Sequence, residues 1–332
     1  MNKKILLLVI SMILIVSGCT KSDKENVIKE LEKKYLEKES YNLVGNMFII
    51  NNEDKHTYEV DVMYQKDEKY KVKLKNKINN HEQIILRNEE GVYVLTPSLN
   101  KSFKFQSEWP YNNSQAYLIK NIIDDIKNDK KSRFDKKENG FIYTSKVNYS
   151  NNKNLEKQKV YIDKKYNLTK IEVIDKKENI IMEMNVTKIK TNNKISDDYF
   201  KLENNMGLDK TKEDEKVSTS LEDIIYPVYM PSNTTLEKSE TIKLEKGVRT
   251  ILNFSGDSNF TLIEEPISYS KSNQIVPVFG EMQRIADVIG TVTDNSIEWS
   301  SNGVGYYLTS NDMSMEEMIK VANSITLLPV SK

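Results

Sequence analysis

The chain has 332 residues, and its 49 Lys and Arg residues are balanced by 49 Asp and Glu residues, so its formal net charge at pH 7 is zero. This balance gives no general electrostatic attraction to phosphates, and we expect no nucleic-acid partner. The single cysteine excludes an internal disulfide bond. The chain is longer than one hydrophobic core usually supports, which predicts two domains.

Residues 1–18 have the pattern of a cleaved export signal. Lys3 and Lys4 precede an uncharged apolar run, Ile5 to Val16, which as a helix is too short to cross a hydrocarbon core of ~30 Å. The closing tetrapeptide, Val16-Ser17-Gly18-Cys19, resembles the bacterial lipobox. That resemblance implies cleavage after Gly18, a diacylglyceryl group on the Cys19 thiol and palmitate among its acyl chains. Two chains suffice for stable anchoring, so we predict a protein held on the extracytoplasmic face of the cell membrane, with residues 19–25 as a tether.

Residues 26–202 are predicted to form the first domain. The spacing of Ile28, Leu31 and Tyr35 predicts a short helix, and alternating apolar residues then predict strands at 43–49, 58–64, 70–74, 84–86 and 91–95. A second helix is expected from Ser114, a residue type common at N-caps, with its apolar stripe at 119–126. Further alternation predicts strands at 141–149, 158–162, 168–173 and 180–189. The expected fold class is α+β: a curved antiparallel sheet, an incomplete barrel, covered by helices.

Residues 203–220 are charged and nearly free of apolar side chains, so we predict a linker there. A smaller α+β domain is expected over 221–332. Its strongest local signals are Asn302-Gly303, which favours a hairpin turn, and Ser314 with Glu317, which form a capping box before a final helix.

The order of these elements resembles the LolA-like lipoprotein fold, and within that group the germination lipoproteins related to GerS. The residues that carry this resemblance are 91–97 (Gly-Val-Tyr-Val-Leu-Thr-Pro), Trp109-Pro110, Tyr117-Leu118 and 200–202 (Phe-Lys-Leu). The C-terminal part resembles a small domain of Gram-positive sporulation lipoproteins through 227–231 (Pro-Val-Tyr-Met-Pro), Trp299, Tyr306 and 314–325. The two-domain layout also resembles the RseB/MucB regulators.

No catalytic pattern emerges. His56 and His81 lie in separate polar stretches without further metal ligands around them, and neighbouring acids such as Asp124 and Asp125 point apart on a helix. The serines lack a Gly-x-Ser-x-Gly turn, and the glycines form no phosphate-binding loop. We therefore expect a protein that is not an enzyme and has no metal or cofactor.

Two modes of binding remain open. The concave face of the sheet either holds a lipid acyl chain, as in LolA-like carriers, or is filled by its own side chains, leaving an outer surface to dock an envelope protein. We favour docking. The GerS resemblance implies a cortex-modifying cell-wall amidase as the regulated partner, and the RseB resemblance implies a sensor of envelope state that acts on a membrane regulator. Trp109 is a candidate contact anchor or core residue, and Trp299 is expected in the core.

Overall fold

The computed structural model of the chain describes residues 19–51, 54–106, 108–110, 114–149, 152–196, 198–206, 224–244, 247–267, 274–301 and 303–325. Within these ranges the chain forms two open sheets of twelve and seven strands and three α-helices: α1 (Cys19–Leu31), which runs into a π-helical turn (Glu32–Leu36), α2 (Ile119–Asn128) and α3 (Met315–Asn323). No helix in the described part of the chain is long and apolar enough to cross a membrane.

The strands of the first sheet are β1 (Ser40–Asn51), β2 (Asp54–Gln65), β3 (Lys69–Asn76), β4 (Glu82–Asn88), β5 (Gly91–Thr96), β6 (Lys101–Phe105), β7 (Arg133–Lys137), β8 (Gly140–Lys146), β9 (Leu155–Asp163), β10 (Leu168–Asp175), β11 (Ile180–Thr191) and β15 (Gln274–Val278). Their order in the sheet is β15-β6-β5-β4-β3-β2-β1-β11-β10-β9-β8-β7. All neighbours pair antiparallel except β15, which runs parallel to β6. The predicted open antiparallel sheet is therefore confirmed.

One face of this sheet packs on α1 and α2. The helical stripe of Ile119, Ile122, Ile123 and Ile126 is almost fully buried against alternating strand residues such as Leu43 and Val60. On the opposite face, Phe200 and Leu202 pack over β4 and β5 in a smaller cluster. Because only two short helical segments contact so large a sheet, the expectation of a sheet covered by helices is wrong. The helices therefore overlie only part of the sheet.

The second helix begins later than predicted. Ser114 is not its N-cap, because the Ser114 hydroxyl accepts a hydrogen bond from the Asn148 amide at 2.7 Å and the helix starts at Ile119. By contrast, Ser314 caps α3 as predicted, with its hydroxyl oxygen 3.3 Å from the Glu317 amide nitrogen.

The strands of the second sheet are β12 (Thr234–Lys243), β13 (Val248–Gly256), β14 (Phe260–Pro266), β16 (Glu281–Ile285), β17 (Val288–Val292), β18 (Ser296–Ser301) and β19 (Val304–Thr309). Their order in the sheet is β12-β13-β14-β19-β18-β17-β16. Its core packs under α3. The hairpin predicted at Asn302-Gly303 joins β18 to β19; Asn302 itself lies outside the described residues, and Gly303 has the positive φ of 81° that favours glycine.

The region expected to form the C-terminal domain contributes to both sheets. Its strand β15 pairs with β6 of the first sheet, and Val278 at its end is buried in the first core. Most of the predicted linker, from residue 207 on, lies outside the described residues. We therefore refer to a first unit, built on the twelve-stranded sheet, and a second unit, built on the seven-stranded sheet.

Candidate functional site: the junction and cleft between the two sheets

The hairpin of β16 and β17 packs against the face of the first sheet that also contacts α1 and α2, which is the face predicted to be concave. Met282 on β16 and Ile289 on β17 are partly buried against the first core. Gln83, at the start of β4, fixes the hairpin to this face, because its side-chain nitrogen donates to the Ile289 carbonyl at 3.2 Å and its side-chain oxygen accepts from the Ile289 amide at 2.6 Å. The second unit thus helps to fill the concave face of the first.

We call the contact between the β16–β17 hairpin and the first sheet the junction. Around its apolar residues, Met282 and Ile289, the junction is polar. The Arg284 guanidinium lies 4.3 Å from the centroid of the Tyr58 ring and also donates a hydrogen bond to the Tyr58 hydroxyl, which in turn donates to the Asp287 carbonyl at 3.3 Å. Burial raises the pKa of Tyr58, although the Arg284 charge opposes that shift. The phenol therefore stays neutral and serves as both donor and acceptor.

The Asp287 carboxylate accepts hydrogen bonds from the first sheet. Asn79 donates to it at 2.8 Å and Asn76 at 3.4 Å. Near it, burial lowers the pKa of His81, while the Asp287 charge acts in the opposite direction. The positive φ of Ala286, 49°, turns the hairpin so that Asp287 meets these side chains.

A cleft with a volume of about 300 Å³ lies between the two sheets, lined by Lys101 of β6 and by residues of the second unit. One wall is the start of β6, where the Lys101 ammonium lies 4.5 Å from the centroid of the Phe103 ring. The facing wall is the outer face of the second sheet, where Arg249 and Glu265 form an ion pair at 2.6 Å and Glu298 carries a further negative charge. Burial lowers the pKa of Lys101, with Glu298 and Glu265 opposing that change.

The predicted lipidation site is only partly described. Val16, Ser17 and Gly18 lie outside the described residues; Cys19 is the first residue of α1, and its side chain is not described. The predicted anchoring therefore stays a prediction.

The two tryptophans are both buried. Trp109 is 3% exposed in the first core, with its ring 5.8 Å from that of Tyr70 in an edge-on contact, so the ring is not presented at the surface as a contact anchor. The expectation that Trp299 lies in the core is confirmed, because it is 3% exposed and stacks on Tyr306.

The remaining candidates for chemistry stay apart. His56 lies on β2, whereas His81 lies near the junction. Within the described ranges no three His, Cys, Asp or Glu side chains are grouped as metal ligands. On α2, burial raises the pKa of Asp125 to about 6, and its carboxylate accepts from Gln158 at 3.2 Å.

Sequence reasoning missed the junction and the cleft. Tyr58 looked like any other alternating core residue, and Lys101, Arg284, Asp287 and Glu298 occur in a chain that is 30% charged. Their common location depends on the packing of two units far apart in sequence, for which no local pattern exists.

Comparisons with known proteins give one close relative and several distant structural likenesses. No family model matches the chain. The crystal structure of MucB is 12% identical and covers 91% of this chain and 97% of its own, with a TM-score of 0.34. A LolA superfamily protein from Nitrosomonas europaea is 10% identical over 54% of this chain and 98% of its own, with a TM-score of 0.33.

A chain of the complex between the CwlD amidase of Clostridioides difficile and the GerS lipoprotein is 16% identical, covers 52% of this chain and 95% of its own, and has a TM-score of 0.21. These structural likenesses are too distant to carry an argument about function. They include the LolA, GerS and MucB proteins that the sequence resemblance named.

The sequence relative is far closer. Sporulation protein YdcC of Bacillus subtilis (strain 168) is 34% identical over 317 residues, which cover 94% of this chain and 93% of that protein. The match includes both units and the junction between them. The chain belongs to the family of sporulation protein YdcC.

Proposed function

We propose that this chain is a lipid-anchored, non-enzymatic lipoprotein of the cell envelope that binds and regulates another envelope protein during sporulation. The sporulation context is supported by the relationship to YdcC, and the anchoring by the lipobox pattern that ends at Cys19. The observation that carries the choice of docking over lipid transport is the packing of the concave face.

That face is filled by side chains of the chain itself. Ile122 and Ile123 of α2 and Leu31 of α1 have no exposed surface, and they pack with strand residues in one continuous cluster. The β16–β17 hairpin adds Met282 and Ile289 from the second unit. An acyl chain could enter only by displacing well-packed groups, which costs about 1 kcal/mol or more for each methylene-sized gap created. Binding at an outer surface requires no such displacement.

The finer proposal is that the partner is a cortex-modifying cell-wall amidase. An amidase would supply the catalytic groups, and this chain would act as its regulatory subunit without taking part in the chemistry. This assignment is supported by the resemblance to GerS-related lipoproteins.

The anchor is tested by Cys19→Ala in the native host grown with radiolabelled palmitate. We expect the unaltered protein to carry label and to fractionate with membranes, and the variant to carry none and to leave the membrane fraction. Lys21→Ala is the matched control and should behave as the unaltered protein does. Label in the Cys19→Ala variant would refute the assignment of the lipidated residue.

The partner is tested by photo-cross-linking in sporulating cells, using the full-length chain. Phe279 and Val228 are 71% and 80% exposed and are suitable positions for the cross-linker, whereas buried Ile122 provides a control. We expect an adduct with a cell-wall amidase, identified by mass spectrometry, from an exposed position and none from position 122. A lipid adduct at position 122 would overturn the filled-face argument and support a carrier. An adduct with a membrane regulator instead of an amidase would support an RseB-like sensor.

A further inference from the structure

The cleft between the two sheets contains two opposite charges, Lys101 and Glu298, without an ion-pair partner among the described residues. Lys101 on β6 and Glu298 on β18 both line it, yet neither forms an ion pair within 4 Å with any residue in the described part of the chain. Arg249 and Glu265 in the same cleft do pair, at 2.6 Å. The two charges belong to different sheets and influence each other across the cleft without direct contact, so a molecule between them could contact both.

We propose that this cleft binds a small zwitterionic ligand of the amino-acid or short-peptide class, with its carboxylate at Lys101 and its ammonium group at Glu298. Each ligand charge would then meet its opposite in a partly desolvated site, where charge-assisted hydrogen bonds are stronger than in water. The proposal goes beyond docking of an envelope protein and does not depend on it.

The size and walls of the cleft fit this class. Its volume of about 300 Å³ lies at the lower end of the ~300–1,000 Å³ of small-ligand pockets, which suits a few residues of peptide rather than an acyl chain. Ile267 and the partly exposed Tyr307 provide apolar surface between the charges. Gly305 keeps the space open, because a Cβ atom there would lie 3.2 Å from the Ile267 side chain.

Other ligand classes fit less well. A phosphate or nucleotide would place its negative charges against Glu265 and Glu298, and an acyl chain would leave Lys101 and Glu298 desolvated without a partner. A ligand with one charge of each sign can pair with both Lys101 on one wall and Glu298 on the other. The desolvation that lowers the pKa of Lys101 would also be offset by a bound carboxylate.

The proposed ligand class is tested by isothermal titration calorimetry of the full-length chain in detergent. The probe is dialanine, in its D,D and L,L forms. We expect saturable binding of one or both forms, and a loss of about tenfold or more in affinity when the probe is N-acetylated or C-amidated, because each change removes one charge. If neither dipeptide binds saturably at millimolar concentration, the proposal fails.

Protein variants locate the site. Lys101→Met and Glu298→Gln are each expected to weaken dialanine binding about tenfold, and Gly305→Ala to weaken it by narrowing the cleft. The matched control is Lys104→Met, on the same strand but on the opposite face, where its ammonium lies 5.4 Å from the Tyr93 ring centroid; it should keep the original affinity. A thermal unfolding curve for each variant separates a misfolded protein from a lost ligand contact. Equal binding by all four variants would overturn the assignment.

Discussion

The two units bury carboxyl groups in opposite ways. In the first unit Glu172 is 5% exposed but lies away from the helix-packed face, where it pairs with Lys170 at 2.6 Å and accepts a hydrogen bond from Tyr161 at 2.8 Å. In the second unit Glu264 has no exposed surface; one carboxyl oxygen accepts from the Ile225 amide at 3.1 Å, and the other has no hydrogen-bond partner among the described residues.

Because of this difference, the stability of the two cores should depend on pH in different ways. The face of the first sheet that packs on α1 and α2 is filled by aliphatic and aromatic side chains, among them Tyr35, whose pKa burial raises to about 12. The aliphatic and aromatic groups of this cluster do not change charge near neutrality, whereas Asp125, which is only partly buried on α2, titrates with a pKa of about 6. In the second core, burial raises the pKa of Glu264 to about 7, so that core contains a group that titrates in the physiological range.

The largest expected effect concerns the apolar core. Ile122→Ala on α2 should lower the free energy of unfolding by about 2–5 kcal/mol, because it removes methylene groups from a fully buried position and leaves a cavity. The loss should be the same at pH 5 and pH 8, as measured by urea unfolding. Asn128→Ala, an exposed position on the same helix, is the control and should change stability by less than about 0.5 kcal/mol. A small loss at Ile122 would mean that the face is loosely packed and open to a ligand.

The next effect is the pH dependence of the second core. The folded-state pKa of Glu264 is raised from 4.5 to about 7, so the fold prefers the protonated carboxyl; its contribution is complete below pH 4.5 and is lost as the pH rises toward 7. The loss is on the order of 3 kcal/mol, at ~1.4 kcal/mol per pKa unit. Glu264→Gln keeps the size and shape of the side chain but removes its titratable group. The unfolding free energy of the variant relative to the original protein should therefore increase between pH 4.5 and pH 7.

The neighbouring residue provides the matched control for that measurement. Glu265 is partly exposed and paired with Arg249. The Glu265→Gln variant should therefore lose as much unfolding free energy between pH 4.5 and pH 7 as the original protein does. If the Glu264→Gln variant shows the same pH profile as the original protein, Glu264 is hydrated or paired in solution, and the contrast between the two cores disappears.

How far the sequence predicted this arrangement depends on the range of the contacts. The alternation of Leu43, Met47 and Ile49 predicted β1 and its buried face, because side-chain direction in a strand is set by the nearest residues. The parallel pairing of β15 with β6 could not be predicted, since it joins segments far apart in sequence and has no local signature. The burial of Glu264 could not be predicted for the same reason, because it depends on the strands around it and on the segment of Ile225.

The junction should contribute less than either core. Arg284 and Tyr58 interact through the ring face and the hydroxyl group. A double-mutant cycle with Arg284→Met and Tyr58→Phe should give a coupling free energy of about 1–2 kcal/mol, from a hydrogen bond with a charged donor. Urea unfolding of the four proteins measures it. A coupling near zero would show that the hydrogen bond between Arg284 and Tyr58 does not contribute to the association of the two units.

The smallest effect on stability is expected at the edge of the first sheet. One edge strand, β7, presents Arg133, Lys136 and Lys137, which discourage pairing with other strands, whereas the other edge strand, β15, ends beside Phe279 with 71% of its surface exposed. Phe279→Ser should change the unfolding free energy by less than about 0.5 kcal/mol, because little of the ring is buried. In contrast, Val278→Ser, at the buried neighbouring position, should cost well over 1 kcal/mol.

An exposed aromatic ring that does not stabilise the folded chain is available to a partner. If a partner protein contacts the Phe279 ring, Phe279→Ser should reduce the yield of the adduct that this partner forms with a cross-linker at position 228. The unfolding curve of the variant should stay unchanged. The exposed Ile78 gives the comparison, because Ile78→Ser removes a similar apolar surface from a turn beside the junction. Equal adduct yields from both variants would place the docking surface away from β15. A drop confined to Phe279→Ser would place it at the edge that lacks protecting charges.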